Sequence, residues 1–419
     1  MAGRSRARRR LLVLGAGPAQ LGLLEAAQER DDVHVIAVDR DPQAVGFVLA
    51  DERAIISSED EEAVDRLARA REVDGIVSPG ADWPVGIAAR VAERIGLAHP
   101  ITARTGSIVT SKARQREAFA AAGVPHAHEL DRRQGELRFP LVVKAPDRQG
   151  QRGLALVRSA DELDAALETA LAESRGGAVL VEEHVEGPEV TVNAVSVDGR
   201  FVPLTVTDRL TAEPPAFGVA LAHVWPSRHD TTAAVAAAGA AVEAVGIRNG
   251  PSYTQLRLGP AGPVVMEVAA RLGGGHDAEL CAAATGVDLN ALAVEFALGS
   301  GTSGCLTPVT PPSLDAAARP GASLGTGTSG ASPRGAAVVF LVPPVGRLLQ
   351  VEGVADAQAL PGVEWVRVYR RPGHVFGPLR RGADRAGAAL VTGADRDDAL
   401  VRGRRAADAV RFRVDADAS

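Results

Sequence analysis

The tightest constraint on the fold is an alternation within the first hundred residues. Apolar runs suited to buried strands, "RLLVLGAG", "DVHVIAVDRD" and "GIVSPG", alternate with stretches of helical spacing, "PAQLGLLEAAQER", Glu61–Asp74 and "VGIAARVAERIG". Near-continuous apolar strands separated by helices specify a parallel sheet covered on both faces, here a βαβαβ unit. Its first turn, "GAGPAQLG", carries Gly15, Gly17 and Gly22, and Asp39 ends the second strand. That approaches a dinucleotide fingerprint, except that Gln20 stands where the third glycine belongs. A glycine-rich first turn is also common in parallel sheets for structural reasons alone.

The chain has 419 residues, too many for one core, so two to four domains are expected. A net charge of −6 gives no reason to expect nucleic acid or an anionic membrane as a partner. The basic opening "GRSRARRR" meets an apolar run too short for a secretion signal, and no segment is long enough to span a bilayer. Cys281 and Cys305 match no metal or redox spacing. These features lead to the expectation of a cytoplasmic protein.

Of 46 basic residues only two are lysines, Lys112 and Lys144. Arginine replaces lysine freely on a surface, but not where a compact ammonium charge is required. Lys112 opens a helix expected over Ser111–Ala122. Lys144 ends a strand in "FPLVVKAPDRQGQRGLALV", two strands joined by a loop with Gly150 and Gly153. Glycines let backbone N–H groups approach phosphate oxygens while a lysine supplies charge. The lysine precedes the glycines, so this is no Walker loop.

A helix capped by Ser159 follows, then a strand, short turn and hairpin in "AVLVEEHVEGPEVTVNAVSVDGRFVPLTVTD". This brings Glu182 and Glu183 to a strand end and Glu189 one turn beyond. After an Ala-rich helix, "PSYTQLRLGPAGPVVMEVAARLGGG" reads as a hairpin turning at "GPAG", which sets Gln255 and Glu267 on neighbouring strands. Oxygens so placed suit Mg²⁺. Arg271 then offers a guanidinium to an anion, and Gly273 and Gly274 expose backbone amides beside His276. A further helix, "DLNALAVEFALG", precedes a linker rich in Gly, Ser, Thr and Pro, and a final unit has several strands and a closing helix.

Lys112 before "GVP", Lys144 with its Gly loop, "VEEHVEG" and "MEVAARLGGG", in this order, resemble the ATP-grasp superfamily. Within it, "EVAARLGGG" and "AHVWPS" are most similar to carboxylate–amine ligases, including the L-amino-acid (dipeptide) ligases. The resemblance implies an α/β ATP-grasp fold with an N-terminal Rossmann-like parallel-sheet domain (1–105) and an ATP-grasp domain (106–300) with a mobile lid at about 123–175. A linker (301–334) and a C-terminal α+β domain (335–419) complete it. It implies ATP and Mg²⁺ (or Mn²⁺) as cofactors and a small-molecule carboxylate and amine as substrates. Relatives are often dimers.

Residue by residue, Lys112 and Lys144 would hold the α and β phosphates, and Gly150 to Gly153 would cover the β and γ phosphates. Glu182, Glu183 and Val185 would meet adenine, and Glu189 the ribose. Gln255 and Glu267 would meet metal, and Arg271 the acyl phosphate. His223, Gly273, Gly274 and His276 would face substrate, with Phe217, Trp225 and Tyr253 as further lining. Gln255 departs from the family's usual glutamate, and Ala269 from its frequent asparagine. Arg148 and Gln151 stand in the phosphate loop where small residues are usual. A bicarbonate-activating enzyme of the biotin carboxylase type and a catalytically impaired ATP binder remain as alternatives.

Overall fold

A computed structural model describes residues 8–131, 137–299 and 334–415. The expected linker at 301–334 and Cys305 lie outside the described residues, apart from Arg334.

The opening alternation folds as its pattern requires. Four parallel strands lie in the order Glu52–Ala54, Val33–Val38, Arg9–Leu14 and Gly75–Val77. Leu11 to Leu14 and Val35 to Val38 are buried because helices cover both faces of the sheet. The first of these strands is too short, at three residues, to show an apolar period, and the sequence reading passed over it.

The largest sheet has eight strands. Its order is Gly262–Ala269, Gly250–Gly259, Glu189–Val197, Arg200–Thr211, Ala220–Trp225, Gly335–Leu341, Gly387–Gly393 and Val363–Val368. The expected hairpin at "GPAG" is its first pair, and Gln255 stands directly opposite Glu267. The strands Ala220–Trp225 and Gly335–Leu341 pair antiparallel, so the C-terminal unit continues the same sheet. A second sheet is small: Leu141–Lys144 lies between Ala155–Val157 and Leu180–Glu183. It sits over one end of the large sheet and carries its own apolar core around Leu141, Val143 and Val181.

Two local expectations need correction. Ser159 makes no side-chain cap; a single 3-10 turn, Ala160–Glu162, precedes the helix Leu163–Glu173, and the Glu162 carboxylate accepts from the Arg158 N–H instead. The C-terminal unit does not close on its helix, because Arg396–Ala409 is followed by a strand, Arg411–Asp415, paired with Gly346–Glu352. Among the described residues no single helix is long and apolar enough to cross a membrane.

Candidate active site

The small sheet and the large sheet together line one open cleft. Lys112, Lys144 and Glu267 all line it, although they come from three separate elements. Lys112 is the first residue of the helix Lys112–Ala122, where the Ser111 hydroxyl accepts from the Arg114 N–H. That start fixes the side chain, whose Nζ lies 2.9 Å from Glu267 Oε2 and donates to the Arg148 carbonyl at 2.8 Å.

One helical turn after Lys112, Arg116 points the same way. Its Nε donates to Glu182 at 2.6 Å and its Nη2 to the Met266 carbonyl at 2.9 Å. Glu182 also pairs with Lys144. The Glu182 carboxylate is thus occupied from two sides and acts as the anchor of Lys144. Burial drives the Lys144 ammonium down, Arg116 adds repulsion, and Glu182 only partly offsets them, leaving its pKa at about 8. Burial pushes Glu267 the other way, but the Lys112 charge outweighs it and holds the carboxyl well below the usual carboxylate range.

Glu189 is fixed by register. It pairs opposite Arg209 on one neighbouring strand and opposite Arg257 on the other. Both guanidiniums reach its carboxylate, Arg257 at 2.6 Å, and Gln255 Nε2 donates to the same group at 3.0 Å. Three donors on a group with about four acceptor positions leave room for one more, such as a ribose hydroxyl. Arg257 also donates to the Val185 carbonyl at 3.0 Å and lies over the Phe217 ring at 5.5 Å.

The Gln255 contact bears on metal binding. A carboxylate only accepts, so the amide nitrogen must face Glu189, leaving the amide oxygen for another partner. With Glu267 directly across the hairpin, the pair offers one charged and one neutral oxygen. Among the described residues no group of three or more His, Cys, Asp or Glu is arranged as a metal cage. Mg²⁺ needs none, since it is commonly held by one or two protein oxygens, substrate phosphates and water. The residues present fit a phosphate-bound Mg²⁺.

Beyond Glu267 the strand ends at Ala269, and Arg271 two residues on is buried, pairs with Asp82 and lies 5.8 Å over the Tyr253 ring. Burial opposes its charge, yet Asp82 and Glu267 hold its pKa above the ordinary arginine value. The glycines that follow are needed for close approach. A Cβ on Gly273 would stand 2.2 Å from Asp277 Oδ2, and one on Gly275 only 2.6 Å from His223 Cε1. His223 and Asp277 form a buried pair, Nδ1 to Oδ1 at 2.8 Å. Asp277 also accepts from the Gly275 N–H, so the glycine turn and the pair set each other's position.

Of the expected substrate-side residues, Arg271, His223, Gly273, Gly274 and His276 are all absent from the cleft's lining. His276 does not line the cleft; it contacts Glu279 at 2.9 Å and the Tyr369 hydroxyl, against Trp365. Gln20 fills the hollow of the first βα turn, within 3.1 to 3.3 Å of any Cβ on Gly15 or Gly17. Asp39 accepts from the Ala16 N–H at 2.9 Å. The space a dinucleotide pyrophosphate would need is therefore taken by side chain. Arg116, Arg257, Asp82 and Asp277 were not picked out by the sequence. Arg116 alone had a signal there, its four-residue spacing from Lys112.

Residues 137–279 match the family model described as an ATP-grasp domain. The chain contains an ATP-grasp domain. Residues 339–415 match the L-amino acid ligase C-terminal domain 2. An uncharacterized protein, y4rH, of Sinorhizobium fredii is 25% identical over 413 residues, 93% of this chain and 79% of that one. Carnosine synthase 1 of Gallus gallus is 31% identical over 192 residues, 42% of this chain but only 20% of that enzyme. The solved L-amino acid ligase from Bacillus licheniformis shares the fold of this chain with a TM-score of 0.77 at 20% identity, covering 98% of this chain and 100% of the other.

Proposed function

We propose that this enzyme joins a small carboxylic acid or amino acid to an amine, using ATP and passing through an acyl phosphate. The observation that carries the reading is the meeting of both lysines with Glu267 on one cleft. Lys112 and Lys144 are the charge for the phosphate chain, and the loop from Gly150 to Gly153 covers it. Gln149, just before that loop, accepts from the Asp82 N–H, which ties the lid to the segment pairing with Arg271.

The substrate carboxylate oxygen attacks the γ-phosphorus and ADP leaves. Arg271 faces the charge that builds on the transferred group. Mg²⁺ or Mn²⁺ held at Glu267 and Gln255 would neutralise phosphate oxygens. The amine nitrogen then attacks the acyl carbon, the bond to the phosphate oxygen breaks, and phosphate departs. The amine must lose a proton in this step. Asp277 holds His223 by Nδ1 and leaves Nε2 to receive it. Enclosure by the lid keeps water from competing for the acyl carbon. ATP supply puts the reaction in the cytoplasm.

The test is a screen of ADP release over pairs of amino acids and small carboxylic acids, with product mass measured. A pair that releases ADP and gives an amide in equal amounts supports the reading, and Lys144→Ala should abolish it. ADP release with bicarbonate and biotin instead would move the enzyme to the bicarbonate-activating class. Nucleotide binding without ADP release from any pair would make it an impaired ATP binder.

A further inference from the structure

Two parts of the lid, distant in the chain, come down on consecutive residues of the N-terminal domain. Gln149, just before the phosphate loop, accepts from the Asp82 N–H. Arg175, just after the helix Leu163–Glu173, lies over the next residue, its Cζ 4.7 Å from the centre of the Trp83 ring. Asp82 and Trp83 open the helix Asp82–Ile95, and Trp83 packs on the apolar core of the parallel sheet. The N-terminal domain therefore fixes this turn, and the lid comes to it.

The contact is braced from both sides. Arg175 Nη2 pairs with Glu59 at 2.6 Å, just ahead of the helix Glu61–Ala70. On the lid, the Gly176 N–H and the Ser174 hydroxyl donate to one oxygen of Asp147, at 2.7 and 3.3 Å. Arg148 Nε donates to the Glu173 carbonyl. Asp147 and Arg148 lead from Lys144 into the phosphate loop, so that loop and the segment carrying Arg175 form one piece. The Arg175 side chain is only 22% exposed. A cation withdrawn that far needs partners, and a carboxylate and an indole face supply them.

The place of this contact gives it a task beyond stability. The Asp82 carboxylate holds Arg271 Nε at 2.5 Å. The lid thus rests on the residue that holds the arginine assigned above to the transferred group.

We propose that Trp83 and Arg175 are positioning residues that hold the lid shut over the acyl phosphate until the amine has reacted. This inference rests on the ligase reading above. When the lid leaves its seat early, water attacks the acyl carbon in place of the amine. The bond to the phosphate oxygen breaks, and acid and phosphate leave with no amide formed. ATP is then consumed without product.

The test compares ADP released with amide formed, at saturating amine, in full-length wild type, Arg175→Gln, Trp83→Ala, Trp83→Phe and the Arg175→Gln/Trp83→Ala double variant. Hydrogen exchange of residues 147–176 is measured alongside, with a non-hydrolysable ATP analogue and Mg²⁺. Wild type should form amide in equal amount to ADP. Arg175→Gln and Trp83→Ala should each raise ADP release without amide by about threefold, and speed lid exchange similarly, the scale of one partly exposed cation–π contact. The double variant should be no worse than the worse single one, and Trp83→Phe should stay near wild type. A lower melting temperature or kcat with wild-type coupling and wild-type lid exchange marks a bridge that only supports the fold, and overturns the inference. No ADP release from any pair overturns the ligase reading. Lid exchange then decides the seat alone: faster exchange in Arg175→Gln upholds it, and unchanged exchange overturns it.

Discussion

Lys112 Nζ and Glu267 Oε2 are 2.9 Å apart, although 155 positions separate them in the chain, and neither is fully exposed. The pair joins the start of one helix to a strand of the large sheet at the centre of the cleft. Without nucleotide each neutralises the other. On the proposed reading, bound nucleotide would draw Lys112 to phosphate and free Glu267 for the metal.

Breaking the pair from one side should therefore be worse than removing it. Lys112→Met and Glu267→Gln should each destabilise the unliganded protein by about 1–3 kcal/mol, and the double variant by clearly less than their sum. Denaturant unfolding of the three variants measures the coupling. Additive losses would show that the two charges do not depend on each other.

The Lys144 pKa of about 8 gives ATP binding a pH dependence. Below that pH the free enzyme carries the ammonium; above it the group is neutral, while bound phosphate favours the charged form. Binding above pH 8 thus takes up a proton, and the Kd for ATP should rise by up to about tenfold per pH unit. Calorimetry in two buffers of different ionisation heat should show uptake at about pH 9 and almost none at about pH 6.5. Lys144→Arg should remove the dependence.

Gln255 faces the Glu189 carboxylate at 3.0 Å, so Gln255→Glu sets two acids against each other. The melting temperature should fall without metal, and Mg²⁺ with nucleotide should recover it. Apparent Mg²⁺ affinity should rise, on the order of tenfold, since a charged oxygen replaces a neutral one. Unchanged Mg²⁺ affinity in an activity titration would remove Gln255 from the metal site.

Gly275→Ala places a methyl where the His223 ring lies, 2.6 Å from Cε1. The expected cost is about 1–3 kcal/mol of stability from overpacking. Amine-dependent kcat should fall by at least about tenfold through the displaced base, with the KM for ATP retained. A variant with normal turnover would mean that His223 takes no part in the reaction.

The strand ends and glycine turns that hold Lys144, Glu267 and Arg271 were legible in the sequence, because apolar runs broken by charge and glycine are local signals. The scarcity of lysine marked both phosphate candidates. What escaped were partnerships created by the fold. Arg257 and Arg209 became contacts of Glu189 through strand register, and nothing near either residue announces it. Asp82 meets Arg271 across 189 positions. His276 misled for the opposite reason: its place beside the glycines pointed to substrate, but it turns toward Tyr369 and the C-terminal unit. The helix Asp277–Thr285 was missed because glycines and a left-handed His276 precede it in place of an ordinary cap.

The most direct test of the central claim is a crystal structure with a non-hydrolysable ATP analogue and Mg²⁺. The triphosphate should lie between Lys112 and Lys144, with a metal ion joining it to Glu267 and Arg271 beyond its γ end. A nucleotide bound elsewhere, or a triphosphate touching neither lysine, would contradict it.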